Sequence, residues 1–164
     1  MAKVYVMCGL PFSGKTTLSK LISKYDKAQR VSFDELWIKL EKSDPNFPQS
    51  GGVDGWKYVC TKAEKQIEIL LKKGRDVVYD NLNGRKEHRD RIKTIADKCG
   101  AQSIVVYLNT SAQEIQKRES ENIRIQARHS VQYKNFRNAQ EDEYFIIYNP
   151  KTPIDSWLQQ FIIN

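Results

Sequence analysis

The sequence predicts an α/β fold in which a mostly parallel sheet is covered by helices on both faces. Three observations carry that reading. Apolar runs of strand length alternate with longer segments whose apolar residues recur at helical spacing. The first run passes through a glycine-framed loop straight into a helical segment, and two later runs lead to an aspartate beside a helix start or a turn. Strands that each hand over to a helix run parallel, and their carboxyl ends share one rim, where ligands of open α/β sheets gather.

Val4-Tyr5-Val6-Met7-Cys8 suits a buried strand, and the helix after it places Leu18, Leu21 and Ile22 on one face. Ala28 to Phe33 reads as a second strand, and Asp34 to Leu40 opens a helix with an acid where it begins. Ser43 to Gly55 carries Pro45, Pro48, Gly51, Gly52 and Gly55 without periodicity, so it predicts a loop, a candidate flap on the acceptor side. From Trp56, residues Val59, Cys60, Ala63, Ile67, Leu70 and Leu71 follow helical spacing until Gly74. Asp76 to Tyr79 forms a third strand ending in Asp80-Asn81-Leu82-Asn83-Gly84. The following helix turns Ile92, Ile95, Ala96 and Cys99 inward. Ser103 to Leu108 is the clearest strand, and Ser111 caps a helix running through Glu114, Ile115 and Arg118. Arg118 to Arg137 is rich in arginine and poor in apolar residues. Tyr144 to Tyr148 supplies a fifth strand, and Ile154 to Ile163 a last helix.

A chain of 164 residues predicts one domain, 1–164. Cys8, Cys60 and Cys99 are too widely spaced for a disulfide framework or a zinc knuckle and read as reduced, structural thiols. No apolar run reaches the length of a membrane span, and Met1-Ala2-Lys3 leads directly into the first strand. A soluble, cytoplasmic protein without a signal peptide is the expectation. The net charge of +7 suits phosphate-bearing partners, ATP and nucleic acid alike, and does not choose between them.

The loop Gly9-Leu10-Pro11-Phe12-Ser13-Gly14-Lys15-Thr16-Thr17 fits G-x-x-x-x-G-K-[ST] at every fixed position. Wrapping a polyphosphate in backbone requires glycine where the chain approaches closely and turns, at Gly9 and Gly14. Pro11, Phe12 and Ser13 complete the cradle, Lys15 reaches the β- and γ-phosphates, and Thr16 offers its hydroxyl to Mg²⁺. Thr17 follows at the positive end of the helix. Phosphoryl transfer to a hydroxyl also needs a carboxylate near the attacking oxygen and positive charge around the transferred group. Asp34 is the candidate base, with a helix cap as the plainer alternative. Asp80 stands where an acid helps hold Mg²⁺ through water or binds the acceptor, with a turn as the alternative, and Asn81 and Asn83 offer it hydrogen bonds. Arg118, Arg124 and Arg128 suit a lid over the phosphates and adenine, or an exposed charged helix. Trp37 and Trp56 flank the flap, placed to stack on an acceptor or to fill the core. His88 and His129 lack metal-ligand spacing and receive no role. Hydrolysis commonly uses a glutamate beside an acid such as Asp80. Asn81 stands there instead, which favours a kinase over an ATPase or switch.

The ordered set Gly9 to Thr17, Ser32-Phe33-Asp34-Glu35, Val77 to Asn83 with Arg89, and Arg118 to Arg128 resembles the P-loop kinases of the polynucleotide-kinase-like and zeta-toxin-like group, an AAA-type ATP-binding family. The resemblance covers nearly the whole chain. It implies a P-loop NTPase fold with five parallel strands in the order 2-3-1-4-5, use of ATP and Mg²⁺, Asp34 as catalytic base, and Arg118 and Arg124 as lid arginines. Phage-type polynucleotide 5′-hydroxyl kinase has an arginine three residues after its catalytic acid, where this chain has Trp37. With the nearly uncharged flap, that departure points to a small hydroxyl compound, a nucleoside, sugar or antibiotic, as acceptor. A polynucleotide is the alternative.

Overall fold

The computed structural model describes residues 1–121 and 145–162. Five strands, β1 (Lys3–Cys8), β2 (Gln29–Ser32), β3 (Val77–Asp80), β4 (Gln102–Leu108) and β5 (Phe145–Tyr148), form one sheet in the order β2-β3-β1-β4-β5, every neighbouring pair parallel. Parallel strands need crossover helices, and the chain supplies them. These are α1 (Lys15–Tyr25), α2 (Phe33–Ser43), α3 (Gly52–Lys72), α4 (Lys86–Lys98), α5 (Ala112–Ser120) and α6 (Ile154–Phe161).

Because side chains alternate along a strand, β1 feeds two cores. Tyr5 and Met7 meet Leu18 and Ile22 of α1 and Trp157 and Leu158 of α6 on one face. Val4 and Val6 meet Ala63 and Ile67 of α3 and Ile92 and Ala96 of α4 on the other. A strand buried on both faces reads as an unbroken apolar run, which is why β1 was legible without alternation. Among the described residues no helix is long and apolar enough to cross a membrane. Cys8 and Cys60 are buried, Cys99 is half-buried, and none is in a disulfide.

The expected flap is the main correction to the element reading. α2 runs on to Ser43 and α3 begins at Gly52, so the loop is confined to residues 44–51. Asp44 pins it, accepting from the Asn46 N–H at 3.0 Å and from the Tyr58 hydroxyl at 2.8 Å. Beneath it an aromatic cluster joins α2 to α3: Trp37 packs edge-on against Phe47 at 5.4 Å, and Phe33 lies 6.0 Å from Trp37 and 6.4 Å from Trp56. Gly55 makes this possible, since a Cβ there would lie 2.8 Å from Cη2 of Trp37. The glycine that looked like a loop residue is a packing residue inside a helix.

Candidate active site

β1 lies in the middle of the sheet, so the loop that follows it opens at the centre of the rim. Gly14 takes φ +101°, a left-handed value that favours glycine, and α1 starts at the next residue. A Cβ on Gly9 would fall 2.7 Å from Ser13 Oγ and 3.2 Å from Leu108 Cβ, so any larger residue there would crowd the loop. The loop's carbonyls are held by the protein. Leu10 O accepts from the Lys15 ammonium at 2.7 Å and from the Ser13 N–H at 3.2 Å, Phe12 O from Arg118 Nη1 at 3.0 Å, and Ser13 O from Thr110 Oγ1 at 2.8 Å. Carbonyl oxygens tied in this way do not compete for the space an anion would take.

Two groups in the loop lack what would satisfy them. Ser13 Oγ is buried without a hydrogen-bond partner, and Lys15 forms no ion pair among the described residues. Loss of hydration pushes the Lys15 ammonium down to about 8, against the opposing charges of Asp80, Cys8 and Asp34. An anion in the cradle would reverse that shift. Glycine where a Cβ would collide, an orphaned hydroxyl and an uncompensated lysine together fit a polyphosphate. A cation is less fully provided for. Thr16 is exposed at the start of α1, Ser19 Oγ links its carbonyl to Asp80, and the described residues hold no group of three or more His, Cys, Asp or Glu side chains suited to a metal. Mg²⁺ there would draw most of its oxygens from phosphate and water, which is its usual habit.

Two acids complete the rim. Asp80 is the last residue of β3 and is buried; its Oδ2 accepts from Ser19 Oγ at 2.9 Å and from Arg30 Nη2 at 2.6 Å. Arg30 also donates through Nε to Ser19 Oγ at 2.9 Å and through Nη1 to Glu35 at 2.6 Å, tying β2, α1, β3 and α2 together. Asp34 is not the cap of α2. Ser32 is, its hydroxyl accepting from the Glu35 N–H at 3.5 Å, and Asp34 sits in the first turn, exposed, with no hydrogen bond or ion pair among the described residues. Neighbouring atoms still strip enough water from Asp34 to raise its carboxyl above the ordinary aspartate range. Asp80 adds to the rise, while Lys15 and Arg30 oppose it.

A cradle after the central strand, a lysine inside it and two acids on the same rim define a nucleotide-binding α/β domain. A family model described as an AAA domain matches residues 4–140. The chain belongs to the AAA domain family. Solved structures show the same fold for this AAA domain, that of P-loop kinases. The APS kinase of Mycobacterium tuberculosis in complex with AMPPNP and APS is 18% identical with a TM-score of 0.71, over 98% of this chain and 95% of that one. A sugar kinase from Janibacter sp. HTCC2649 is 16% identical at TM-score 0.68, over 98% and 91% of the two chains. Kti12 of Chaetomium thermophilum, in complex with ADP-AlF3, is 17% identical at TM-score 0.66, over 98% and 99%. No curated protein matches the sequence.

The AAA domain places the remaining expected residues unevenly. Arg118, on α5, lies against the loop through Phe12 and is braced by Glu114 at 2.8 Å. Arg124 and Arg128 lie outside the described residues, as do His129 and Tyr144. Trp37, half-buried, belongs to the aromatic cluster beneath the α2–α3 connection, against Phe33 and Phe47. Asn83 has a structural role through its amide nitrogen. It is buried at φ +45°, and its amide donates to Met7 O at 2.9 Å, fastening the β3 loop to the end of β1. Asn81 is half-buried at the mouth, its Nδ2 on the Tyr79 hydroxyl at 2.8 Å and its Oδ1 on the Leu82 N–H at 2.7 Å. Sequence reading missed Arg30, whose partners lie 11 and 50 residues away. His88, given no role, lies with its ring 4.9 Å from that of Trp56. An arginine in a segment read as a strand was the one available signal for Arg30.

Proposed function

We propose that the chain is an ATP- and Mg²⁺-dependent kinase that transfers the γ-phosphoryl group to a hydroxyl of a small molecule. The observation that carries this reading is the state of Asp34. With Ser32 serving as the cap, Asp34 is left with no structural partner on the rim that also holds Lys15 and Asp80. In the reaction, Asp34 accepts the proton of the acceptor hydroxyl as its oxygen bonds to the γ-phosphorus. The bond from phosphorus to the β,γ-bridging oxygen breaks, releasing ADP and a phosphomonoester. Lys15 holds the β- and γ-phosphates in line, and Arg118 braces the loop beneath them. Bound Mg²⁺ would neutralise the developing phosphate charge, held by Thr16 and, through water, Asp80.

Against a polynucleotide acceptor stands Trp37, packed among phenylalanines where a phosphate-binding arginine would be needed. Against simple hydrolysis stands Asn81, an amide already committed to Tyr79 and Leu82 beside Asp80, where a water-orienting acid would sit. The test is ATP consumption by the purified chain with Mg²⁺, coupled to product detection, over 5′-hydroxyl oligonucleotides, nucleosides, sugars and aminoglycosides. A phosphomonoester of a small acceptor, abolished by Lys15→Ala, supports the reading; ATP turnover that no acceptor accelerates sinks it.

A further inference from the structure

The guanidinium of Arg30 is largely buried and spends each of its three nitrogens on a different element. Nε donates to Ser19 Oγ on α1, Nη2 to Asp80 Oδ2 at the end of β3, and Nη1 to Glu35 Oε1 on α2. Glu35 is exposed and has water for its charge, but Asp80 is only 6% exposed and depends on a cation at hand. Its Oδ2 takes both Arg30 and Ser19, while its Oδ1 has no hydrogen bond among the described residues. Ser19 cannot carry that charge alone, since its one proton has two acceptors in reach, Asp80 Oδ2 at 2.9 Å and Thr16 O at 3.0 Å. A second cation stands close enough to compete. Of the anionic groups acting on the Lys15 ammonium, Asp80 weighs most, yet the two form no ion pair, and Lys15 donates to Leu10 O instead. The planar fork of arginine suits a fixed carboxylate, and a point charge on a flexible stem suits an incoming phosphate.

We propose that Arg30 is a positioning residue: by holding the charge of Asp80 it keeps that carboxylate from capturing Lys15, so the lysine meets the β- and γ-phosphates unpaired. The inference rests on the reading of the loop as an ATP site and is independent of the acceptor. Without Arg30, the buried carboxylate must find another cation, and Lys15 is the one its charge already acts on. ATP would then have to break an ion pair before it gained the lysine. Mg²⁺ near Asp80 would supply the missing charge, so the defect should be largest where no metal is present.

Calorimetry of ATP binding to the full chain at neutral pH, in EDTA and in excess Mg²⁺, tests this for wild type, Arg30→Met, Arg30→Lys and the double variant Arg30→Met/Asp80→Asn. Melting curves establish which forms fold, and Arg30→Gln, which keeps an amide donor for Asp80, takes the place of Arg30→Met if that variant does not. In EDTA, Arg30→Met should lose roughly tenfold or more in ATP affinity, the worth of a hydrogen bond to a charged group, and clearly less in Mg²⁺. Arg30→Lys keeps the charge and should stay within about threefold of wild type. The double variant removes the carboxylate that would capture Lys15 and should restore metal-free affinity to about the same range. Unchanged affinity in Arg30→Met, a loss that the double variant retains, or a loss equal with and without Mg²⁺, the mark of a merely structural arginine, overturns the proposal. Failure of every form, wild type included, to bind ATP defeats the nucleotide reading itself.

Discussion

Lys15 and Asp34 carry charge in settings that do not favour it, and each has a consequence in pH. Lys15 is lowered to about 8 in the nucleotide-free chain, and a bound polyphosphate raises it again. Below pH 8 the ammonium is charged in both states, so ATP affinity is level. Above pH 8 binding must take up a proton, so affinity should fall by up to about tenfold per pH unit, with matching proton uptake in calorimetry. A flat affinity with no proton uptake would place Lys15 away from the phosphates. Asp34 acts as a base only when ionised, so turnover should fall with pH through its raised pKa, and Asp34→Asn should lower kcat by roughly 10²–10⁴-fold with ATP affinity nearly kept. Ser32 separates this from capping. Ser32→Ala removes the long hydrogen bond to Glu35 and should cost about 0.5 kcal/mol of stability with kcat little changed; the opposite pattern in the two variants would make Asp34 the structural residue. The Ser32-Phe33-Asp34-Glu35 stretch showed an acid at a helix start, but which residue caps depends on where the strand ends, a difference of two positions that periodicity does not resolve.

The elements around the site are joined by contacts far apart in sequence, and those were the ones hidden from it. Arg30 reads as one strand residue among others until β2 pairs with β3 and sets it beside Asp80. Because Asp80 is buried and Arg30 largely so, Arg30→Met leaves the carboxylate without its counter-charge, held by Ser19 alone, and should cost on the order of 3 kcal/mol, or about 6–12 °C in melting temperature for a chain of this size. Mg·ATP brings positive charge back to Asp80, so it should raise the melting temperature of this variant more than that of wild type; equal shifts would separate Asp80 from the metal. The aromatic cluster makes a second case. Ala in place of Gly55 gains about 1 kcal/mol of helix propensity, but its Cβ would meet a rigid indole held by Phe47. Overpacking of this kind costs about 1–3 kcal/mol, so the collision wins and Gly55→Ala should destabilise by about 1 kcal/mol in urea titrations. A stabilised variant would show that Trp37 gives way. The glycine and proline count between Ser43 and Gly55 suggested a flap because composition reports backbone freedom and not the side chains packed beneath it.

At the scale of the molecule, the order β2-β3-β1-β4-β5 brings the loop after β1, the Asp34 helix after β2 and Asp80 at the end of β3 to neighbouring places on one rim. Alternation of strands and helices made the parallel sheet legible, and the loop motif marked its ligand-binding edge. The strand order came only through family resemblance, because hydrophobic pattern says nothing about which strands are neighbours. A crevice between α3 and α4 was the least legible part, since Trp56, Glu64, Asn81 and His88, which line it, come from three separate stretches and converge only in the fold. The net charge of +7 leaves nucleic acid open as a partner, and salt dependence distinguishes it, because polynucleotide binding weakens steeply as counterions are released. The most direct test of the account is ³¹P NMR of a reaction of the chain with Mg·ATP and its best small acceptor, run beside a 5′-hydroxyl oligonucleotide at two salt concentrations. The account predicts that the γ-phosphoryl group appears as a phosphomonoester of the small acceptor, at a rate that Asp34→Asn lowers by roughly a hundredfold or more and that salt changes little. Orthophosphate as the main product whatever acceptor is present, or an oligonucleotide preference that collapses with salt, would contradict it.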